Sequence, residues 1–404
     1  MRRVKTQAFL FFSDAWQNKW SFLFGLVQVL LALLLTGYML SLAQTGWRTI
    51  EAFEHLQKLG SVYHIGCIAE AGQIEAVTND DSKTADFEAI YRYISDMEET
   101  ETFTADASMK IFLSAEDTEA EDIAADNMYG MMSFRTLRVT EGFFNAFPLE
   151  MSVEKGRLKE AFRQYYDDGV MPVLLGDSYR KYYQEDEIFA DSDGKEYRVL
   201  GFLREGSVYA APFESERARI LDDWMIVPLG NDRQGGGIGY ITELTSIYFI
   251  TDREDLMEEL VQEFKKRRLL PFEYLQLSDQ VKSDIEDLKN EALTMGSVMI
   301  LILAFATTGM VSCMVRFVRN RMKEFAVHLL TGAGIRDVML RIAMQLCVIL
   351  LLSDIVVFAV FGVGVVSFGI LLFSILYGVA VSAYPLYLFR TQKIADVLRK
   401  NGEV

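Results

Sequence analysis

The chain has 404 residues, of which 40 are Lys or Arg and 57 are Asp or Glu, so its formal net charge is −17 at pH 7. Residues 43–290 hold 26 basic and 50 acidic residues, a net of −24, whereas the rest of the chain holds 14 basic and 7 acidic ones, a net of +7. So acidic a segment argues against nucleic acid as a partner, since phosphates attract basic surfaces. An excess of acidic residues in one large segment and of basic residues in the flanking segments is instead typical of a membrane protein with one translocated domain.

Two segments precede the acidic part of the chain. Residues 1–19 interleave basic residues with Phe and Trp, which indicates either an amphipathic cytoplasmic segment at the membrane surface or simply a basic flank. Residues 20–42 are apolar with Gln28 as an interruption, and about twenty such residues suffice to cross a bilayer. This run is too long for a signal-peptide core and no small-residue cleavage site follows it. We therefore expect a first, uncleaved transmembrane helix that places the N-terminus in the cytoplasm.

Residues 43–290 are predicted to form an extracytoplasmic domain of mixed α/β structure. Residues 191–194, DSDG, predict a hairpin turn ahead of a strand, and residues 86–99 predict a surface helix with apolar residues on one side. Cys67 is the one cysteine in this segment. A disulfide framework is therefore excluded, and we expect the domain to fold around its own hydrophobic core.

Two stretches of this domain are expected to be irregular. Residues 116–126 are acidic and contain no aromatic residue, which is typical of an exposed, solvated loop rather than of a cation site. Residues 235–239, GGGIG, lack the following helix that a nucleotide-binding loop requires, so they are predicted to form a flexible turn.

A helix is predicted at the end of the domain. Val281, Ile285 and Leu288 recur at intervals of four and three residues, which gives one apolar stripe on a helix that continues into the next span. Together with the helical pattern that follows the first span, this helix would form a two-helix stalk. The alternative is a surface helix that packs on its own domain.

Three further apolar runs complete the membrane topology. Residues 291–315 are the second predicted transmembrane helix, residues 342–361 the third and residues 365–389 the fourth. The tail, residues 390–404, is basic and is therefore assigned to the cytoplasm with the N-terminus. The predicted fold class is an integral membrane α-helical protein with four transmembrane helices and a large extracytoplasmic mixed α/β domain on a helical stalk.

Residues 316–341 form the cytoplasmic segment between the second and third spans. Six basic residues outnumber two acidic ones there. Glycines end helices at little cost, so Gly332 and Gly334 predict two short helical pieces with a break between them.

At this point several motifs together resemble the MacB/FtsX-like permease family of ABC transporters, the mechanotransmission type. The cytoplasmic segment KEFAVHLLTGAG, residues 323–334, is similar to that family's R-E-[IF]-A-[IV]-x-R-A-[LI]-G-A pattern. His328 and Leu329 depart from it where the family often has Arg and Ala. The other motifs, in chain order, are VTEGFF at residues 139–144, EKGR at 154–157, VLLG at 173–176, YRVLGF at 197–202 and the tail from Tyr384-Pro385 to Val397-Leu398-Arg399.

The resemblance implies a permease subunit with no enzymatic activity of its own. It implies two copies of a separate ATP-binding subunit and a second permease, identical or homologous, in the cell membrane. No G-x-x-x-x-G-K-[ST] phosphate loop occurs in the sequence, so ATP would act through the partner and no cofactor is expected to bind directly. ATP-driven closure of the partner would tilt the spans, and the stalk would carry that motion to the outer domain.

The cytoplasmic segment is the predicted docking site for the ATP-binding subunit. Phe325 and the leucines would fill an apolar groove on the partner, while arginines would steer its approach. The alternative, arginines that contact anionic membrane lipid, explains the charges but not the apolar residues. The residues assigned to docking are Arg319, Arg321, Glu324, Phe325, Leu329, Leu330, Gly332, Ala333, Gly334 and Arg336.

Asp354 and Gln28 are the intramembrane polar residues that we single out. An acid within a span is costly, so Asp354 is expected either to act as a relay or gating contact or to hydrogen-bond a neighbouring span, with Gln28, Thr307 and Thr308 as candidate partners. His55, His64 and His328 lack the spacing of metal ligands, so no metal site is predicted.

Three functions are compatible with these features. The first is export or extraction of a peptide or amphiphilic compound. The second is FtsX-like signalling, in which the same machine activates an extracytoplasmic partner such as a cell-wall hydrolase. The third is a passive membrane receptor without an ATPase. The size of the outer segment favours the first.

Overall fold

A computed structural model gives the fold of the chain. It describes residues 19–78, 80, 83–114, 118–128, 130–164, 169–210, 218–229, 236–332, 334–362 and 364–391. The chain divides into two compact units. One is an α/β unit, Thr45–Lys289, and the other is a membrane unit formed by the chain on either side of it.

The described helices are α1 (Lys19–Leu59), α2 (Ala71–Thr78), α3 (Thr84–Ser95), α4 (Phe143–Ala146), α5 (Lys155–Gln164), α6 (Gly236–Leu244), α7 (Glu254–Lys266), α8 (Ser278–Leu330), α9 (Ile335–Phe361) and α10 (Val365–Thr391), with short 3₁₀ turns at Glu121–Ile123 and Asp177–Lys181.

The described strands are β1 (Val62–Cys67), β2 (Glu101–Asp106), β3 (Lys110–Ser114), β4 (Asp126–Met128), β5 (Met131–Val139), β6 (Met171–Leu175), β7 (Ile188–Ala190), β8 (Glu196–Phe202), β9 (Val208–Ala210), β10 (Ala218–Ile220), β11 (Trp224–Pro228), β12 (Ile247–Ile250) and β13 (Phe272–Gln276).

Eleven of these strands form one sheet in the α/β unit. Its order is β13-β1-β12-β2-β5-β11-β6-β8-β7, with β3 and β4 also paired to β5. The β11–β5 and β6–β8 pairs are parallel, whereas the other pairs in the sheet are antiparallel. The sheet is therefore mixed, and the predicted α/β class of this segment is confirmed.

Amphipathic helices cover the sheet. In α7 the buried residues recur on one face, and the ring of Phe264 stacks on that of Phe272 in β13 with the centroids 4.2 Å apart. Glu254 and Asp255 in its first turn, with Lys265 and Lys266 in its last, oppose the partial charges of the helix dipole. The charges at the two ends of α7 and the spacing of its apolar residues therefore both stabilise this helix.

Two local predictions in this unit are confirmed. The DSDG turn joins the antiparallel strands β7 and β8. The Asp191 carboxylate accepts hydrogen bonds from the backbone N–H groups of Asp193 and Lys195, both at 2.9 Å, and Gly194 has a φ of +81°. The predicted surface helix is α3, in which Phe87 and Ile90 are fully buried.

Of two predictions of irregular structure, one is confirmed for the described residues and one is wrong. In the acidic stretch, Glu119, Glu121 and Asp122 are exposed and only a short 3₁₀ turn forms, although Ala120 is fully buried and Asp122 accepts a hydrogen bond from Lys181 at 2.6 Å. Residues 236–239 of the GGGIG stretch open helix α6, because burial of Tyr240 and Leu244 outweighs the poor helix propensity of glycine.

Among the residues that the structure describes, four helices are long and apolar enough to cross a membrane, and the first two of them extend into the α/β unit. These are Phe22–Leu59, Gln280–His328, Met339–Phe361 and Val365–Tyr384. The apolar interior of the membrane unit includes Val29, Met310 and Leu346. Other large apolar residues, such as Phe305, are exposed, as is expected of side chains that face lipid. The predicted number of spans is confirmed. The predicted segments 1–19 and 390–404 lie outside the described residues, apart from Lys19 and the end of α10.

Candidate functional site

The end of α8, the turn after it and the start of α9 form a helical hairpin, which we call the basic hairpin (residues 316–341). Gly332 has a φ of +96°, a conformation that favours glycine, and the chain reverses there. The backbone N–H of Gly334 donates to the Asp337 carboxylate at 3.0 Å, which caps α9. The predicted break at these glycines is confirmed, but the two pieces are the ends of the long helices α8 and α9 and not separate short helices. Ala333 lies outside the described residues, as do the side chains of Leu329 and Arg336.

Glu324 ties the two arms of the basic hairpin together. Its Oε1 accepts a hydrogen bond from Arg341 Nη2 at 2.8 Å, and its Oε2 accepts one from Arg321 on its own helix. His328 Nε2 lies 3.6 Å from the same carboxylate. Arg341 is only 3% exposed, whereas the Glu324 side chain is 31% exposed, so the pair is partly shielded from solvent and links α8 to α9.

Phe325 lies inside the basic hairpin and not on its surface. Its ring is 1% exposed and packs with Phe317, Val318 and Ile342, and the Arg341 guanidinium carbon lies 5.5 Å from the ring centroid. The expectation that this ring fills a groove on a partner is therefore wrong. The hairpin needs an apolar interior of its own, and Phe325 supplies it.

An exposed helical face remains available for a partner. Lys323, Val327 and Leu330 are spaced by four and three residues, which places them on one side of α8, and all three are exposed. Leu330 is 69% exposed, as expected of a docking residue. Val327 was not predicted, although its spacing from Leu330 could have identified it. Arg319 is exposed as well, whereas the Arg321 guanidinium forms an ion pair with the Glu324 carboxylate.

The two intramembrane polar residues join different helices. Asp354 is 7% exposed, and its Oδ2 accepts a hydrogen bond from Ser374 Oγ in α10 at 3.0 Å. The prediction that Asp354 hydrogen-bonds a neighbouring span is therefore confirmed. Its partner is Ser374, however, and not Gln28, Thr307 or Thr308 as predicted. Gln28 Nε2 donates weakly to the carbonyl of Phe305 in α8 at 3.4 Å.

The stalk residues belong to the core of the α/β unit. Val281 and Ile285 are buried and Leu288 packs beside them, in the cluster that also contains Phe53 of α1 and residues of the sheet. Lys289 Nζ lies 3.8 Å from a carboxylate oxygen of Glu54, so the two helices run side by side there. The stripe therefore packs against α1 and against the sheet in one hydrophobic core, so both the predicted pairing of the two helices and the alternative, packing on the domain, are found.

Metal-ligating side chains do not assemble into a site in the part of the chain that the structure describes. No group of three or more His, Cys, Asp or Glu residues that could hold a metal ion is found there.

No family model and no curated protein matches the sequence. Among solved structures, the chain is similar to the extracellular domain of YknZ, a noncanonic ABC-type transporter from Gram-positive bacteria, with a TM-score of 0.31 and 9% identity over 53% of this chain and 99% of that one. It is also similar to the periplasmic region of MacB from Actinobacillus actinomycetemcomitans, with a TM-score of 0.30 and 14% identity over 56% of this chain and 92% of that one. At these TM-scores the similarities add no argument of their own about function.

Proposed function

We propose that this chain is the permease subunit of a MacB/FtsX-like ABC transporter, in which a separate ATP-hydrolysing subunit moves the membrane helices. The main support is the basic hairpin, a clamped structure that presents Lys323, Val327 and Leu330 on one exposed face. A rigid surface suits a contact that must bear force, because a flexible loop would yield before it moved the helices. The motif at residues 323–334 points to the same family.

Helix α8 connects the basic hairpin to the α/β unit and would transmit this force. It is a single helix of 53 residues, which corresponds to a length of about 80 Å. It begins in the α/β unit and ends in the basic hairpin. A displacement applied at its cytoplasmic end would therefore be carried along one continuous element to the α/β unit. In this mechanism the cargo, a peptide or amphiphilic compound, is handled by the α/β unit on the outer side of the membrane.

The contact face can be tested by Leu330→Asp. Burying a carboxylate in an apolar contact is costly, so we expect the ATPase activity that copurifies with the full chain from its native membranes to fall by about tenfold or more. Vanadate-sensitive ATP hydrolysis measures this activity, and mass spectrometry of the copurified subunit must identify a phosphate-loop protein.

Leu275→Asp is the matched control, because Leu275 is an exposed leucine at 55% in the α/β unit. It should leave the copurified activity unchanged. Phe325→Asp is not a suitable variant, since it would disrupt the interior of the hairpin. The proposal fails if the wild-type chain brings down no ATPase, or if Leu330→Asp retains the full activity.

A further inference from the structure

Asp354 is the one charged residue in the apolar runs of the four candidate spans, residues 22–47, 292–315, 342–361 and 365–389. These runs contain no Lys, Arg or His that could neutralise it. The next charged residue along α9 is Arg341, which lies about 20 Å away along the helix and pairs with Glu324. A carboxylate without a counter-charge is costly in a membrane interior. Asp354 is therefore neutralised by something other than a side chain of the spans.

Helices α9 and α10 pack closely around this carboxyl group. One turn before Asp354, the Leu350 side chain lies against Gly378, where a Cβ would be 2.7 Å from Leu350 Cδ1. One turn after Asp354, the rings of Phe358 and Phe368 meet edge to face with their centroids 6.1 Å apart. Asp354 itself is 7% exposed. In this conformation the packing of the two helices therefore keeps most of the residue away from solvent.

The hydrogen bonds of Asp354 are too few for an ionised carboxylate. Its Oδ2 accepts one from Ser374 Oγ at 3.0 Å, and its Oδ1 has no partner among the described residues. Ser353 is fully buried next to it in the chain, but its Oγ donates to the Ile349 carbonyl of the same helix at 2.9 Å. An ionised carboxylate has about four acceptor sites. A neutral carboxylic acid carries no charge, so its burial with a single hydrogen bond is much less costly.

The other titratable side chains of the spans are phenols and thiols, which carry no positive charge in either protonation state. In the interior of the membrane unit, Tyr377 of α10 is 7% exposed, and α1 and α8 contribute apolar residues such as Val29 and Met310. A metal cation would need several oxygen ligands, whereas a proton needs only the carboxylate. The remaining titratable residues of the four runs are Tyr38, Cys313, Cys347, Tyr384 and Tyr387.

We propose that Asp354 is a proton-binding site inside the membrane unit, with the proton on Oδ1 while α9 and α10 are packed as in this structure. Separation of the two helices would admit water, and the proton would then pass from Oδ1 to a water molecule and leave a hydrated carboxylate. Proton binding and helix packing are therefore linked, and each favours the other. The inference goes beyond the proposed function, because coupling to an ATPase does not by itself require a proton.

Helix α9 connects this site to the basic hairpin. It begins at Ile335 in the hairpin, and Asp354 lies about 29 Å further along the same helix. A displacement of the hairpin would therefore move α9 against α10 and change the exposure of the carboxyl group. The state of the proton would report on the position of the helices.

Infrared spectroscopy of the full chain at pH 8 tests the proposal, in dodecyl maltoside micelles because this detergent has no ester carbonyl. Exposed carboxyl groups are ionised at this pH. We expect the wild-type spectrum minus the Asp354→Asn spectrum to contain the carbonyl stretch of a protonated carboxylic acid, shifted to lower frequency in D₂O. Asp126→Asn is the matched control, since Asp126 is an exposed carboxylate in the α/β unit. The corresponding difference spectrum should lack this band.

Dicyclohexylcarbodiimide provides a second measurement in native membranes. The O–H of a carboxylic acid adds across one C=N bond of this apolar reagent, so that oxygen bonds to carbon, the proton moves to nitrogen and no group leaves. We expect mass spectrometry to find Asp354 modified at rates that agree within about twofold at pH 6, 7 and 8, because the site stays protonated. An ionised carboxylate would instead react about tenfold more slowly for each added pH unit.

Three results would overturn the proposal. The first is a wild-type infrared spectrum that equals the Asp354→Asn spectrum in the region of protonated carboxylic acids. The second is a tenfold fall in the rate of modification per pH unit. The third is protection of Asp354 by sodium chloride but not by choline chloride, which would assign the site to a metal cation. ATPase copurification depends on Leu330 and tests the proposed function separately, so a chain that keeps its ATPase but lacks the band would refute the proton site alone.

Discussion

Asp106 in the α/β unit and Asp354 in the membrane unit are both almost fully buried, at 4% and 7% exposure, but their partners differ in kind. Asp106 Oδ2 accepts hydrogen bonds from the Arg138 guanidinium, including Nε at 3.0 Å, and its Oδ1 accepts one from the Ser108 N–H at 2.8 Å. Asp354 receives one hydroxyl hydrogen bond, from Ser374, and its Oδ1 has no partner among the described residues.

The difference follows from the surroundings of each carboxyl group. Burial opposes ionisation of Asp106, but the hydrogen bonds from Ser108 and Arg138 outweigh it and hold the pKa of Asp106 below its usual value. The Arg138 side chain is 19% exposed, so part of it stays in contact with water while its guanidinium reaches the buried carboxylate. Within a membrane span a second charge would itself have to be desolvated, and a neutral serine avoids this cost. The α/β unit thus balances a buried charge, whereas the membrane unit joins two helices with a neutral donor.

The largest effect is expected for Asp106→Ala. It leaves the mostly buried Arg138 guanidinium without its counter-charge, so we expect the free energy of unfolding of the α/β unit to fall by about 3–5 kcal/mol. Urea denaturation of the full chain, followed by hydrogen exchange of the β5 amides, measures this change.

Asp126→Ala is the control for this prediction. Asp126 also pairs with a cation, Lys110, but both side chains are exposed, so water screens the pair and its loss should change the stability much less. Equal losses in the two variants would show that burial does not distinguish these pairs.

A smaller effect is expected for Ser374→Ala. It removes the hydrogen bond to Asp354, and interhelical hydrogen bonds in membranes contribute about 0.6 kcal/mol on average and less than about 2 kcal/mol. Reversible unfolding of the chain in mixed micelles measures the loss. Ser382→Ala serves as the control, since Ser382 is exposed and bonds to the Val379 carbonyl of its own helix. A loss as large as that of Asp106→Ala would mean that Asp354 behaves as a buried ion.

The smallest effect is expected for Asp222→Asn. Asp222 differs from Asp106 and Asp354 because it is half-buried and its charged neighbours are other acidic residues. Because its pKa is raised from 3.8 to about 6, the folded state binds this proton more tightly than the unfolded state. The contribution of Asp222 to stability therefore decreases as the pH rises from about 4 to about 6. We expect Asp222→Asn to stabilise the α/β unit at pH 8, on the order of 0.5 kcal/mol, and to have no effect below pH 4.

Thermal unfolding of the α/β unit between pH 4 and pH 8 measures this profile. Asp222→Ala separates charge from hydrogen bonding, since it also removes the acceptor of the Gly206 N–H and should destabilise the unit at both ends of the range. If Asp222→Asn gave the same change at pH 4 and pH 8, the raised pKa would be refuted.

Local patterns in the sequence determined several features of this protein. Four apolar runs predicted the four candidate spans, since the thickness of the bilayer sets the length of helix needed and the apolar composition can be read from the sequence directly. The hairpin turn at residues 191–194 and the glycine break at residues 332–334 followed from backbone preferences of single residues. The stripe at Val281 predicted a helix, because periodicity within one element needs no knowledge of the rest of the chain.

The partners of each side chain were decided by the tertiary structure. Phe325 was expected on the surface, but Phe317 and Arg341 enclose it from two different helices. Asp354 and Ser374 meet although they lie 20 positions apart, and Asp106 of β2 pairs with Arg138 of β5. Spacing along a chain fixes neighbours only within a turn of helix or a pair of adjacent strands. Contacts between distant segments depend on how whole elements pack, and a single sequence does not specify that packing directly.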